Sequence, residues 1–211
     1  MAVYDLEEQE NIEALKAWWN QYGRLVIAVF VAFILGVSGI QGWRYYKEQR
    51  AQKGAVVFAQ LEEAVRANDA AKATDLAKKL AADFAPTGYG ARGGVLAART
   101  TFEAGDLKTT EELLRAAAQA ARDEPVRAIA NLRLSAVLLE QKKYDEAIKV
   151  VSGPSPESFV PLFADARGDV LVAQGKVADA KGAYQIALDK LPKSSAWRNV
   201  VEVKRDALGG K

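Results

Sequence analysis

The chain has 211 residues, half of them hydrophobic, with 29 basic and 27 acidic side chains and a formal net charge of +2. It contains neither cysteine nor histidine, which excludes a disulfide framework, thiolate metal sites, His-dependent triads and most zinc chemistry. From Gly54 onward basic and acidic residues nearly balance, 23 against 21, so this part lacks the strongly basic face of a nucleic-acid-binding domain.

Residues 1–24 form an acidic leader with five carboxylates. Asp5, with Glu8 three residues on, has the form of a helix start in which a side-chain oxygen caps free N–H groups. Ile12, Leu15, Trp18, Trp19 and Tyr22 then recur at helical spacing, and Glu13 can pair with Lys16. The pattern predicts an amphipathic helix near a membrane surface. A disordered tail up to Glu10 is the competing reading.

Residues 25–43 read LVIAVFVAFILGVSGIQGW, without a charge, between Arg24 and Arg44. At about 1.5 Å per residue this stretch is roughly 28 Å of helix, close to the thickness of bilayer hydrocarbon. Trp18, Trp19 and Tyr22 precede it, and Trp43, Tyr45 and Tyr46 end it. Aromatic rings at both ends are the mark of a spanning helix anchored at two interfaces. A cleaved signal peptide, with Val37-Ser38-Gly39 as a weak site, is the alternative, but its leader would be short and basic. Within the span Ala28, Ala32 and Gly36 repeat every four residues, and Ser38 and Gly42 do so on another face. Small residues at this spacing let two helices approach closely in lipid, and Gln41 adds a polar group that seeks a partner. Residues 44–53, RYYKEQRAQK, form a basic, aromatic exit segment.

Residues 54–211 have a helical pattern throughout. Val57, Leu61, Ala64 and Val65 give one stripe, Leu132, Val137, Leu138 and Leu139 another, and Trp197, Val200, Val201 and Leu208 a last one. Polar hinges recur at Asn68-Asp69-Ala70, Gly105-Asp106-Leu107, Lys142-Lys143-Tyr144 and Gly175-Lys176-Val177, spaced by 37, 37 and 33 residues. The fourth unit carries Gly168, Leu171, Gly175, Val177, Ala180, Tyr184, Ala187 and Pro192. It resembles the tetratricopeptide repeat. The expected fold is all-α: one N-terminal transmembrane helix followed by a solenoid of helical hairpins. A helical bundle without a true repeat is the alternative. Three departures stand out: Leu61 sits where the repeat wants a small residue, Pro154 shortens the second helix of the third unit, and the usual early tryptophan is missing. Residues 194–208 are expected to supply a polar end cap.

The leader YDLEEQENIEALKAWWNQYG, a span ending in GWRYYK and weak tetratricopeptide repeats together resemble one bacterial family over the full length, the YfgM family of ancillary SecYEG translocon subunits. The resemblance implies a non-enzymatic inner-membrane protein with its repeat domain in the periplasm. It implies two partners, the SecYEG translocon and a membrane-bound periplasmic chaperone of the PpiD type, and no cofactor.

No catalytic constellation stands out. The glycines of Gly88-Tyr89-Gly90 and Gly93-Gly94 lack the preceding strand and the lysine of a phosphate loop and read as a flexible turn. Adjacent pairs such as Glu62-Glu63, Glu111-Glu112 and Asp123-Glu124 do not share a helix face. Binding is the better expectation. Mapping the repeat motif puts Arg92, Arg99 and Phe102 on a concave groove, followed by Ile129, Leu132 and Leu139, then Asp165 and Asp169. Such a groove is basic at one end, apolar in the middle and acidic at the other, and suits a segment of another protein. The opposing reading has the apolar three packed against the last helix, closing the groove. Two functions are then open, a membrane-tethered scaffold joining the translocon to chaperones, or a holdase binding unfolded clients. Charge bias complicates the topology: Lys16 and Arg24 precede the span, while Arg44, Lys47, Arg50 and Lys53 follow it, so the positive-inside rule opposes a periplasmic repeat domain.

Overall fold

The computed structural model describes the backbone of residues 2–209 and the side chains of residues 10–209. Nine α-helices, and no strand, occur among these residues: α1 (Ala2–Arg66), α2 (Ala70–Asp83), α3 (Tyr89–Glu103), α4 (Leu107–Ala120), α5 (Glu124–Glu140), α6 (Tyr144–Val151), α7 (Val160–Ala173), α8 (Val177–Lys190) and α9 (Ala196–Ala207). The chain divides into two compact units, one ending at Gln49 and the other beginning at Arg50.

In the first unit α1 is helical from Ala2, so Asp5 lies inside the helix rather than at its start, and residues 2–10 are not a disordered tail. The Asp5 and Glu8 side chains lie outside the described residues. The segment is long and apolar enough to cross a membrane, and none of its most apolar stretch is buried. Leu25, Phe30, Phe33, Ile34 and Leu35 are all exposed, a surface that water does not tolerate and lipid does. At the exit, Trp43 stacks on Tyr46 at 6.1 Å and Lys47 lies 5.5 Å from the Trp43 ring. Amphipathic rings and a cation of this kind favour the headgroup level.

In the second unit helices pair in sequence, α3 with α4, α5 with α6 and α7 with α8, while the end of α1 shares one core with α2 through Leu61, Ala64, Ala73, Ala77 and Leu80. Each pair turns at one of the hinges read from the sequence, and all four hinges share one backbone device. Asn68, Gly105, Lys142 and Gly175 have φ of 53°, 78°, 60° and 75°. In each, the N–H of the next residue reaches five residues back: Asp69 to Ala64, Asp106 to Thr101, Lys143 to Leu138 and Lys176 to Leu171, at 2.8–3.0 Å. This left-handed stop satisfies carbonyls that the ending helix would otherwise leave free. In the first two hinges Asp69 and Asp106 then cap the following helix, accepting 3.0 Å bonds from the N–H groups of Lys72 and Thr109.

Small residues set how closely the helices of a pair approach. A Cβ on Gly168 would lie 2.3 Å from the Tyr184 ring, which is itself buried. Leu61, the expected misfit, is fully buried, because the neighbouring helix offers Gly93, where a Cβ would meet Leu80 at 2.8 Å and Leu61 at 3.3 Å. The glycine-rich stretch is therefore mostly helix and not a flexible turn. Only Gly88 turns, with φ of 81°, while Gly90, Gly93 and Gly94 are buried in α3. In the second unit of the repeat the small position is Thr110, whose hydroxyl pairs with that of Thr101 at 2.8 Å. Pro154 acts as expected: α6 stops at Val151 after 8 residues, where α4 and α8 run for 14.

Polar links join successive pairs on the face of the second helices. Glu111 on α4 accepts from Lys143 at 2.8 Å and from Arg115 at 2.8 Å, and Arg115 also reaches Glu146 on α6. Burial alone would raise the Glu111 carboxyl, but hydrogen bonds from Lys143, Arg115 and Gln141 outweigh it and hold the group below its usual range. Its contribution to stability is thus present near neutrality and is lost as pH falls through and below that range.

Three expectations follow. A fragment from Gly54 folds alone and gives helical minima in circular dichroism; an insoluble or non-helical fragment contradicts this. Gly168→Ala lowers the unfolding free energy of the fragment by about 3 kcal/mol in urea titration, since a buried ring has nowhere to move. Lys142→Gly raises it by about 0.5–1 kcal/mol, because it relieves a left-handed non-glycine residue.

Candidate functional site

The first helices of the pairs, α3, α5 and α7, lie side by side and carry every residue expected in the groove. The basic end is present but internally paired. Arg92 donates to Asp123 at 3.0 Å, with both side chains about half exposed, and Arg99 donates to Glu103 at 2.9 Å one turn along α3. Surface pairs of this kind are weakly held in water and exchange readily for a partner's carboxylate. Phe102 is 44% exposed beside them, an aromatic ring on an otherwise charged rim.

The apolar middle is only partly open. Ile129, Leu132 and Leu139 are all half-buried. Leu132 packs with Ala128, Val151 and Phe163 between the third and fourth pairs, and Leu139 joins the main core around Leu138 and Val170. Leu132 and Leu139 pack within the repeat stack, so the chain's own fold uses much of the surface expected for a guest.

The acidic end is covered by α9. Asp165 is 4% exposed. Its carboxylate accepts from the Trp197 indole at 3.1 Å and from the Lys204 ammonium at 2.9 Å. Lys204 also donates to Asp169 at 2.8 Å, and Asp169 accepts from the Tyr184 hydroxyl at 2.7 Å. Sequence spacing gave no hint of this cluster, because Lys204 lies 39 residues from Asp165 and belongs to a helix read only as an end cap. That cap is also less polar than expected: Trp197, Val200 and Val203 remain exposed, and Val201 alone is fully buried.

Burial pushes the Asp165 carboxyl above its usual range, and Lys204 and Trp197 offset only part of that. Burial would lower Lys204, but its bonds to Asp169 and Asp165 prevail and hold it above 10.5. Tyr184 is pushed up by burial and by its bond to Asp169. A raised lysine contributes stability that is complete below its unfolded value and disappears as pH rises through the folded one. The cluster therefore works as a latch for α9 at neutral pH. No group of three or more metal-ligating side chains occurs among the described residues. The packing candidates on α1, Ala28, Ala32, Gly36, Ser38, Gln41 and Gly42, are all exposed, and a Cβ at Gly36 or Gly42 would touch nothing.

The latch has a convenient reporter, since Trp197 is the one tryptophan after Gln49. In the fragment from Arg50, Lys204→Ala leaves Asp165 without its cation. It should destabilise by about 2 kcal/mol and shift Trp197 emission to the red. The parent fragment should show the same red shift only above pH 10.5. An emission spectrum unchanged by either treatment contradicts the latch.

Comparison with known proteins adds the family. The model of a family described as a tetratricopeptide repeat-like domain matches residues 16–210. The chain is 31% identical over 206 residues to a Neisseria gonorrhoeae protein named ancillary SecYEG translocon subunit, covering 96% of this chain and 98% of that one. It is 33% identical over 188 residues to a Haemophilus influenzae protein of the same name, covering 88% and 90%. An Escherichia coli protein, also so named, is 28% identical over 187 residues, covering 88% of each. Likeness over nearly the whole of both chains includes the apolar helix as well as the repeats, and the chain belongs to the tetratricopeptide repeat-like family of ancillary SecYEG translocon subunits.

Proposed function

We propose that this chain is a membrane-anchored interaction scaffold that works at the SecYEG translocon and links it to a periplasmic chaperone of the PpiD type. The observation that carries the reading is the joining, in one chain matched end to end by translocon subunits, of a lipid-suited helix to a stack of helix pairs with an accessible rim at Arg92, Arg99 and Phe102. The small residues of α1, on two faces of the helix, are the surface for partner helices within the membrane. In this reading residues 1–24 are cytoplasmic, 25–43 span, 44–53 sit at the far interface and 54–211 form the periplasmic domain.

A holdase needs a broad apolar surface that accepts many sequences. Here Leu132 and Leu139 pack largely within the fold and α9 occupies the acidic end, which favours a narrow site for a chosen partner. The reading is of a binding protein rather than an enzyme. The buried carboxylate of Asp165 is matched by Lys204 and Trp197 and lies under a helix, where a substrate has no access.

Two outcomes are expected. Charge reversal at Arg92 and Arg99 together, both exposed, should leave the melting curve intact and reduce co-purification of chaperone from native membranes in mild detergent; unchanged recovery means that the partner binds elsewhere. Alkaline phosphatase fused after Lys211 should be active, as a periplasmic domain requires. Inactive phosphatase, with a fluorescent protein maturing in its place, overturns the orientation and supports the positive-inside reading of Arg44, Lys47, Arg50 and Lys53.

A further inference from the structure

Between the C-terminal halves of α3 and α5, with α4 behind them, lies a hollow of about 220 Å³. Its floor is Ala98, Phe102, Leu114, Ala136 and Val137, with one hydroxyl, that of Thr110. That hydroxyl is already used, bonding Thr101 at 2.8 Å and the Asp106 carbonyl at 2.7 Å. A polar guest would therefore lose its hydrogen bonds to water and gain none, whereas an apolar one gains by leaving water. The volume suits one large side chain, and a small one would leave most of it empty.

The rim adds direction. It carries two guanidinium groups, Arg99 and Arg133, against one carboxylate, Glu103. Arg99 already holds Glu103. Arg133 donates to the Val95 carbonyl at 2.8 Å, and no carboxylate pairs with it among the described residues. A partner that brings a negative charge next to its apolar side chain would complete the rim. One that brings a positive charge would be repelled.

We propose that this hollow is an anchor pocket for one leucine or phenylalanine side chain on an acidic segment of a partner protein, with the partner's neighbouring carboxylate on Arg133. The inference rests on the groove reading above and narrows it to a sequence chemistry. It also gives the exposed Phe102 ring a role, as part of the floor that a guest covers.

The test uses the full chain in nanodiscs and a phage-displayed library of random dodecapeptides, depleted first on empty nanodiscs. Selected peptides should place leucine or phenylalanine within two positions of aspartate or glutamate. Ala136→Trp, at an exposed site, fills the hollow and should weaken the selected peptides at least tenfold, while Arg133→Glu should weaken them about fivefold. Arg133→Glu keeps the test open if Ala136→Trp fails to fold. No enriched pattern, a basic pattern, or peptides that bind both variants as tightly as the parent would overturn the proposal. Peptides that ignore Ala136→Trp yet lose binding on charge reversal at Arg92 and Arg99 sink the pocket and spare the groove. Co-purification insensitive to that reversal sinks the groove itself.

Discussion

The close approach of paired helices is the constraint on which the rest of the repeat unit depends. Ala73, Thr110, Ala147 and Ala180 occupy equivalent places near the start of the second helix of each pair, and none is more than 1% exposed. Gly168 meets Tyr184 and Gly93 meets Leu61 and Leu80 in the same spirit, a missing side chain answered by a large one. Interiors are packed to near-crystalline density, so such matches fix both distance and register. With distance and register fixed, the left-handed hinges return each second helix along its partner. All the first helices then fall on one side, and that side is the groove.

The groove is not the evenly graded channel that its charges suggest. Its acidic end holds α9 through Lys204, Asp165 and Asp169, and its middle is shared with the core. What remains open is the basic, aromatic rim of α3 and α5. A buried ion pair contributes little net stability compared with an apolar contact, but it is selective, because displacing Lys204 would leave two carboxylates facing one another. The latch therefore covers that end of the first-helix face as well as stabilising the end of the stack.

Much of this was legible in the sequence, and the exceptions are instructive. The apolar span, the hinges and the four pairs could be read because each is local: an uninterrupted apolar run, a polar hinge, a small residue one turn later. The glycines at 90, 93 and 94 have the composition of a turn but sit in a packed helix, because composition does not tell a glycine needed for backbone freedom from one needed for close packing. Leu61 looked like a defect because its compensation, Gly93, lies on another helix. The motif puts the groove candidates on α3, α5 and α7, yet spacing along α7 carries no sign that Lys204 would cover Asp165 and Asp169. Arg133 carries no sequence signal for the same reason, since its value comes from the hollow beside it.

The most direct test of the central claim is site-specific photo-crosslinking in native membranes. A photoreactive amino acid would replace Phe102 on the rim in one variant and Glu112, exposed on α4, in another. The account predicts a discrete crosslinked partner from position 102, with little or none from position 112. Crosslinks from position 112 alone, or the same diffuse set of proteins from both positions, would contradict a scaffold that holds its partner through the groove.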